Sequence, residues 1–145
     1  MIIREEKDYD VPQLRAAIEE TLTKFTDEQS YIYNTVLDAV KSQRSMCAFI
    51  DARGGCGKTF IINAILGAVR SLEPGGCVAL AMATTGIASN LLDLGRTFHL
   101  RLKAPLTPHE ESTLQISGQS SLAKLVKMAK LLLVDEAPML DRFQL

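Results

Sequence analysis

The segment that most constrains this chain is Ala48–Thr59, which reads AFIDARGGCGKT. An apolar run leads there into a glycine-rich turn that ends in Gly57-Lys58-Thr59. Glycines let backbone N–H groups turn inward around an anion, and a helix that starts directly afterwards adds its positive end. The pattern therefore predicts a phosphate-binding loop between a strand at Met46–Asp51 and a helix at Lys58–Arg70.

The loop departs in one place from the strict pattern G-x-x-x-x-G-K-[ST], because Ala52 stands where the first glycine is expected. We interpret it as a variant loop, since alanine can keep an ordinary backbone conformation there. In such a loop Lys58 reaches the outer phosphates and the Thr59 hydroxyl binds Mg²⁺. The alternative interpretation is a glycine-rich turn before a core helix.

A second segment, Lys130–Glu136, reads KLLLVDE and predicts a strand that ends in two carboxylates. In an open parallel sheet, ligands bind beyond the carboxyl ends of the strands. Asp135 is then a candidate to hold Mg²⁺, and Glu136 a candidate to orient or deprotonate water. Alone, the segment is equally typical of a buried strand that ends in a solvated acidic turn.

The remaining pattern alternates helices and strands. A capping box at Thr26-Asp27-Glu28-Gln29 predicts a helix start, and Thr84-Thr85-Gly86 forms a loop after a buried strand. This order predicts an α/β fold with a parallel sheet flanked by helices, as in P-loop NTPases. The other predicted segments are a helix at Pro12–Leu22, a strand at Cys77–Ala83, a helix at Ile87–Leu94, a surface excursion at Ala104–Ser121 and a helix at Leu122–Ala129.

Composition fits one globular domain, with 145 residues of which 47% are hydrophobic and 23% charged. No apolar run is long enough to span a bilayer and the start is too charged for a signal sequence, so we expect an intracellular protein with no membrane partner. Residues 29–145 carry twelve basic and nine acidic side chains, which permits nucleic-acid binding. The cysteines have no paired or metal-ligand spacing and are expected to be reduced; they are Cys47, Cys56 and Cys77.

Five ordered segments, FTDEQ, DARGGCGKTF, ALAMATTGIASNLL, GRTFHLRLKAP and LLLVDEAPM, together carry a resemblance. The chain resembles the first motor domain of the Pif-type family of superfamily 1 DNA helicases, most of all the branch carried by Helitron transposons. The resemblance covers roughly Lys24 to Gln144. It implies an N-terminal extension at 1–24 with a short helix, and a partial first RecA-like domain at 25–145. That domain is expected to be incomplete at its C-terminus, with the second motor domain absent.

The resemblance also implies roles for individual residues, with ATP and Mg²⁺ as cofactors. The nucleotide loop comprises Gly54, Gly55, Cys56, Gly57, Lys58 and Thr59. Cys56 stands where threonine is usual, and Ala52-Arg53 replace the commoner Gly-Pro. Gln29 matches a glutamine that reads the adenine edge, but it can equally be the capping-box partner of Thr26, and both interpretations stay open.

The partner implied is single-stranded DNA. Thr84, Thr85 and Gly86 match the motif that grips its backbone, and His99 matches a second contact. A lone histidine beside phenylalanine is more often structural, but the nearby basic residues favour the DNA role; these are Arg96, Arg101 and Lys103.

The mechanism implied is ATP-driven 5′-to-3′ translocation and unwinding, with Lys58 and Glu136 as catalytic residues. Activity is expected to need a second motor domain in cis, which supplies an arginine to the transferring phosphate. The chain alone is expected to be a poor ATPase, with an exposed sheet edge that favours aggregation.

The family suggests DNA repair, recombination, telomere maintenance or transposition, in the nucleus or alternatively the mitochondrion. Two other hypotheses are a nucleotide- or DNA-binding remnant without turnover, and a small-molecule kinase or other P-loop enzyme.

Overall fold

The computed structural model describes residues 2–7, 9–73, 77–105, 112–114 and 116–140. These residues divide into two compact units, one formed by Lys7–Cys77 and the other by Met1–Glu6 together with Val78–Leu145. We call them the helical unit and the sheet unit. The predicted domain boundary at residue 24 stays a prediction. The elements in chain order are α1 (Ile2–Glu5), α2 (Val11–Leu22), α3 (Asp27–Lys41), α4 (Lys58–Arg70), β1 (Val78–Ala83), α5 (Gly86–Asn90), β2 (Arg96–Thr97), α6 (Phe98–Leu102), α7 (Ser121–Met128), β3 (Ala129–Asp135) and a 3₁₀ turn (Ala137–Met139).

The helical unit contains α2, α3 and α4, and local sequence sets where the first two begin. The Asp10 side chain caps α2 by accepting a hydrogen bond from the Gln13 N–H. At α3, the Thr26 side chain accepts from the Gln29 N–H and the Gln29 side chain accepts from the Thr26 N–H. This reciprocal pair is the predicted capping box, and it satisfies two backbone donors that a helix start otherwise leaves open.

Helix α4 is buried along most of its length, from Ile61 to Arg70 with one half-buried exception. Helix α2 packs closely on it at Gly67, where a Cβ atom would lie 3.2 Å from Leu14 Cδ1 and 3.3 Å from Ile18 Cδ1. A side chain at this position would require the Leu14 and Ile18 side chains to shift by a few tenths of an ångström. Glycine is therefore tolerated inside α4, despite its low helix propensity, because it allows this close approach.

The sheet unit contains a three-stranded parallel sheet in the order β2-β1-β3. All six residues of the central strand β1 are buried, whereas β3 pairs on one side only within the described residues and its Leu132 is 50% exposed. The register aligns Ala83 with Thr97 of β2 and with Asp135 of β3. The three strands therefore end together at one edge, which we call the carboxyl edge.

Two apolar clusters support this sheet. One contains Val78 and Leu80 of β1 with Leu122 and Leu125 of α7, and Ile3 of α1 packs against it. The other contains Met82, Phe98, Leu102, Ala104 and Leu140. The short N-terminal helix α1 is therefore part of the packing of the sheet unit, although more than seventy residues separate it from β1.

The predicted fold class is confirmed: the chain is α/β, with a parallel sheet and flanking helices consistent with a fragment of a RecA-like domain. The predicted strands at Cys77–Ala83 and Lys130–Glu136 agree with β1 and β3 to within one residue. The predicted helix at Ile87–Leu94 is shorter and earlier, at Gly86–Asn90. Part of the predicted surface excursion at Ala104–Ser121 lies outside the described residues.

The predicted strand at Met46–Asp51 is wrong in this structure, because residues 44–53 have no regular secondary structure and residues 44–49 are exposed. An apolar run supplies suitable side chains, but a strand also needs a neighbouring backbone to complete its hydrogen bonds. Cys47, expected in a buried strand, is consequently exposed. Within the described residues, no helix is long and apolar enough to cross a membrane.

Candidate nucleotide and nucleic-acid sites

The glycine-rich loop of the helical unit has the backbone conformation that its sequence predicts. Gly55 and Gly57 have φ angles of +77° and +76°, in the left-handed region that residues with a Cβ rarely adopt. A Cβ atom added at Gly54 or Gly55 would meet no atom within 4 Å, so the space beside the loop is open. Gly57 is the residue before α4, and the first N–H groups of that helix have no partner within it. This loop can accept a phosphate group.

Lys58 lies over its own loop. Its Nζ donates hydrogen bonds to the carbonyl oxygen of Ala52 at 2.5 Å and to that of Arg53 at 3.0 Å. An ammonium group can exchange such neutral acceptors for phosphate oxygens, which are stronger acceptors for a charged donor. Ala52 therefore serves the loop through its backbone carbonyl, a function that does not require the glycine of the strict pattern.

Gln29 connects the start of α3 to the loop. Its Oε1 accepts from the Thr26 N–H at 3.1 Å, and its Nε2 donates to the Cys56 carbonyl oxygen at 3.5 Å. Nε2 would also lie 2.9 Å from a Cβ atom at Gly57. The capping-box interpretation of Gln29 is confirmed, and the same side chain lies against the nucleotide loop, so the two interpretations do not exclude each other.

An aromatic cluster holds α3 and α4 together beside the loop. The ring of Phe25 contacts those of Tyr33 and Phe60 edge to face, with centroids 5.5 and 5.6 Å apart. Burial raises the pKa of the Tyr33 phenol above its ordinary value. Because Phe60 follows Thr59 directly, this cluster fixes the helix turn that carries the predicted magnesium-binding hydroxyl.

The carboxyl edge of the sheet unit collects the other predicted residues. Glu136 follows β3 in the left-handed conformation, with φ +55°, and its N–H donates to Asp135 Oδ1 at 2.8 Å. One oxygen of Glu136, Oε2, accepts hydrogen bonds from the hydroxyl groups of Thr84 at 3.1 Å and Thr85 at 3.0 Å. A candidate catalytic carboxylate and two candidate DNA-binding hydroxyls are therefore in direct contact.

His99 is half-buried on α6, beyond the end of β2 at the same edge. Its Nδ1 lies 3.4 Å from the Ala104 carbonyl oxygen, and its ring packs edge to face on Phe98. With Nδ1 protonated and donating to that carbonyl, Nε2 is the nitrogen left to accept a hydrogen bond. The contact orients the ring, and the exposed fraction of the side chain leaves it accessible to a ligand.

The interpretation of Arg101 as part of an exposed basic cluster is wrong. Its guanidinium is buried and forms an ion pair with the equally buried carboxylate of Glu6, and its Nη2 donates to the Leu94 carbonyl oxygen at 2.7 Å. Arg96 is half-exposed and lies 3.5 Å from Glu5, and Lys103 is exposed. Sequence reasoning missed the Glu6–Arg101 pair because no local pattern connects residues 95 positions apart.

The predicted magnesium ligands are a hydroxyl in the helical unit, Thr59, and a carboxylate in the sheet unit, Asp135. Oxygen donors of these two kinds suit Mg²⁺, which is commonly held by one or two side chains together with substrate phosphates and water. In the part of the chain that the structure describes, no group of three or more histidine, cysteine, aspartate or glutamate side chains could hold a metal ion by itself. Each residue by itself therefore has a donor type that suits a metal arriving with a nucleotide, and the described residues form no all-protein metal site.

The glycine-rich loop before α4 and, in the other unit, a parallel sheet whose carboxyl edge presents Asp135 and Glu136 are each features of P-loop nucleotide-binding α/β proteins. The family model of PIF1-like helicases matches residues 24–145, which is most of the chain. The chain belongs to the PIF1-like helicase family. No curated protein matches the chain. Helicases of this family use ATP and Mg²⁺ and bind nucleic acid, as the sequence resemblance implied.

Proposed function

We propose that this chain is part of an ATP-dependent DNA helicase motor that moves 5′-to-3′ on single-stranded DNA. The observation that carries the proposal is the carboxyl edge, where the candidate DNA-binding residues Thr84, Thr85 and His99 follow strands of the same sheet as Asp135 and Glu136. An ATPase whose turnover depends on DNA needs hydrolytic and strand-binding groups on one rigid element. Membership of the PIF1-like helicase family supports the same function.

For the nucleotide, we assign phosphate binding to the backbone N–H groups of the loop and to Lys58, whose two carbonyl contacts can be exchanged for phosphate oxygens. Thr59 and Asp135 are assigned to magnesium, and Glu136 to the attacking water. Magnesium-bound ATP supplies the phosphoryl group and neutralises part of its charge. We assign the remaining amide donor of Gln29 to the adenine edge, because that side chain already lies against the loop. The assigned loop residues are Gly54, Gly55, Cys56, Gly57, Lys58 and Thr59.

For DNA, we assign backbone contacts to the hydroxyls of Thr84 and Thr85 and to the Gly86 N–H, and a further contact to His99. These groups bind phosphate and sugar, so binding should be independent of sequence and weaken with salt. The small-molecule kinase hypothesis gives no role to Thr84, Thr85 or His99. We therefore favour the helicase.

Unwinding requires a second motor domain in the same polypeptide, because alternating grip on the strand needs two domains that close on ATP. That domain also supplies an arginine to the transferring phosphate, a contribution worth on the order of a thousandfold in rate. We expect slow hydrolysis and no unwinding from these 145 residues alone. The family suggests a nuclear role in repair, recombination, telomere maintenance or transposition, and a Helitron origin is a further proposal.

The test is ATP hydrolysis by this chain and by a version extended through a second motor domain, each with and without single-stranded DNA. We expect DNA-stimulated turnover in the extended protein. Lys58→Ala should abolish it, while Lys41→Ala, which removes an exposed lysine at the end of α3, should not. Binding of DNA or nucleotide without turnover would indicate a remnant. Turnover that requires a small-molecule acceptor and ignores DNA would indicate a phosphotransferase.

A further inference from the structure

The contact between Glu136 and the two threonines is not required by the roles assigned above. A catalytic carboxylate needs a free oxygen facing water, and a strand-binding hydroxyl needs a free hydrogen facing phosphate. Here the hydroxyls of Thr84 and Thr85 both donate to one oxygen of Glu136, Oε2, at 3.1 and 3.0 Å. The residues are 51 and 52 positions apart in the sequence, and the β1–β3 register, Ala83 with Asp135, brings them together.

A count of donors and acceptors shows that both hydroxyl hydrogens and both positions of Oε2 are used, whereas the second carboxylate oxygen, Oε1, keeps its own two positions. A threonine hydroxyl has one hydrogen to donate, and a carboxylate oxygen has about two lone-pair positions. The two hydroxyls therefore occupy both positions on Oε2. The Thr85 oxygen also accepts from the Ala88 N–H at 3.2 Å as the N-cap of α5, so its donor and acceptor capacities are both engaged.

We propose that Thr84 and Thr85 are positioning residues for the Glu136 carboxylate, and that they exchange this carboxylate for phosphate oxygens when single-stranded DNA binds. The exchange rests on the proposed function, because it takes both threonines as DNA contacts and Glu136 as the group that orients water. A hydroxyl hydrogen cannot be donated to Glu136 and to a phosphate at the same time. DNA binding therefore releases Oε2, and both carboxylate oxygens, rather than Oε1 alone, become available to water when the strand is present.

This exchange couples the two sites in both directions. If DNA weakens the contact between the threonines and Glu136, then by thermodynamic linkage the contact weakens DNA binding by the same factor. Removing the carboxylate should consequently tighten binding, an effect that can be measured without any ATP hydrolysis. We expect the two contacts together to change the affinity about tenfold, which corresponds to about 1.4 kcal/mol.

The test is a double-mutant cycle in which the full chain binds a fluorescein-labelled oligodeoxythymidylate, followed by fluorescence anisotropy. We expect Glu136→Ala to lower the Kd about tenfold, and in a Thr84→Val background only about threefold, since one of the two donors is gone. Asp135→Asn controls for charge, because it removes a negative charge one position away without touching the threonine hydroxyls.

A second readout follows hydrolysis in the version of the chain that turns over ATP. Thr84→Val should raise the rate without DNA and reduce the stimulation by DNA, whereas Thr84→Ser, which keeps the hydroxyl, should restore both. If Glu136→Ala changes the Kd only as much as Asp135→Asn does, and by the same factor in both backgrounds, the proposed exchange is refuted. The proposed function would not be refuted by that result. If the unsubstituted chain binds no oligonucleotide, the proposed function fails, and the exchange fails with it.

Discussion

The buried ion pair between Glu6 and Arg101 allows a sharp test of how the N-terminal segment contributes to the sheet unit. Both residues are 3% exposed. The Glu6 Oε2 and the Arg101 Nε have no hydrogen-bond partner among the described residues, so each charge depends on the other for compensation. We expect Glu6→Ala to leave an uncompensated guanidinium in the core and to lower the free energy of unfolding by about 3–5 kcal/mol.

The neighbouring residue supplies a matched control. Glu5 is the last residue of α1, directly before Glu6, and is 3.5 Å from Arg96, but both side chains of that pair are 49% exposed. Exposed pairs are screened by solvent, so Glu5→Ala should cost less than about 1 kcal/mol, and less still in high salt. The effect of Glu6→Ala should persist in high salt, because the site is closed to water.

The assay is urea denaturation of the whole chain, followed by circular dichroism at low and high salt. The double variant Glu6→Leu/Arg101→Met should recover part of the loss, since it removes both charges while keeping apolar volume, although the Leu94 carbonyl then lacks its donor. A loss for Glu6→Ala no larger than that for Glu5→Ala would refute the reasoning. So would a double variant whose loss equals the sum of the losses for Glu6→Leu and Arg101→Met measured singly, since independent residues behave in that way.

Three further predictions concern the helical unit and the cysteines. Gly57→Ala should weaken nucleotide binding about tenfold in a titration, because φ +76° costs a residue with a Cβ roughly 1–2 kcal/mol. Gly118→Ala, which has open space beside it and lies outside the loop, should have little effect. Gln29→Glu keeps the acceptor for the Thr26 N–H but removes the amide donor. Thermal stability should therefore stay the same while the preference for ATP over GTP in binding falls. An unchanged preference would exclude the adenine role. A thiol reagent should modify two cysteines in the native chain and the third only in denaturant. Three reactive thiols under native conditions would contradict the burial of the third cysteine. The exposed pair is Cys47 and Cys56, and the buried residue is Cys77.

Sequence by itself determined the features that depend on neighbours along the chain. The capping box at Thr26, the glycines of the loop and the bounds of α4, β1 and β3 all follow from turn chemistry, backbone freedom or hydrophobic period. These preferences act over a few residues, so they can be identified without a tertiary structure. The α/β class and the helicase family rest on the same local signals in their order.

Tertiary structure decided which distant groups meet and which are removed from solvent. A basic segment indicated an exposed Arg101, yet the docking of α1 on the sheet unit buried it against Glu6. An apolar run indicated a strand at Met46–Asp51, but it has no strand ladder here. The contact of Glu136 with two threonines depends on the register between β1 and β3. Such partners are set by strand pairing and burial, which involve residues far apart in sequence, and no local pattern specifies them.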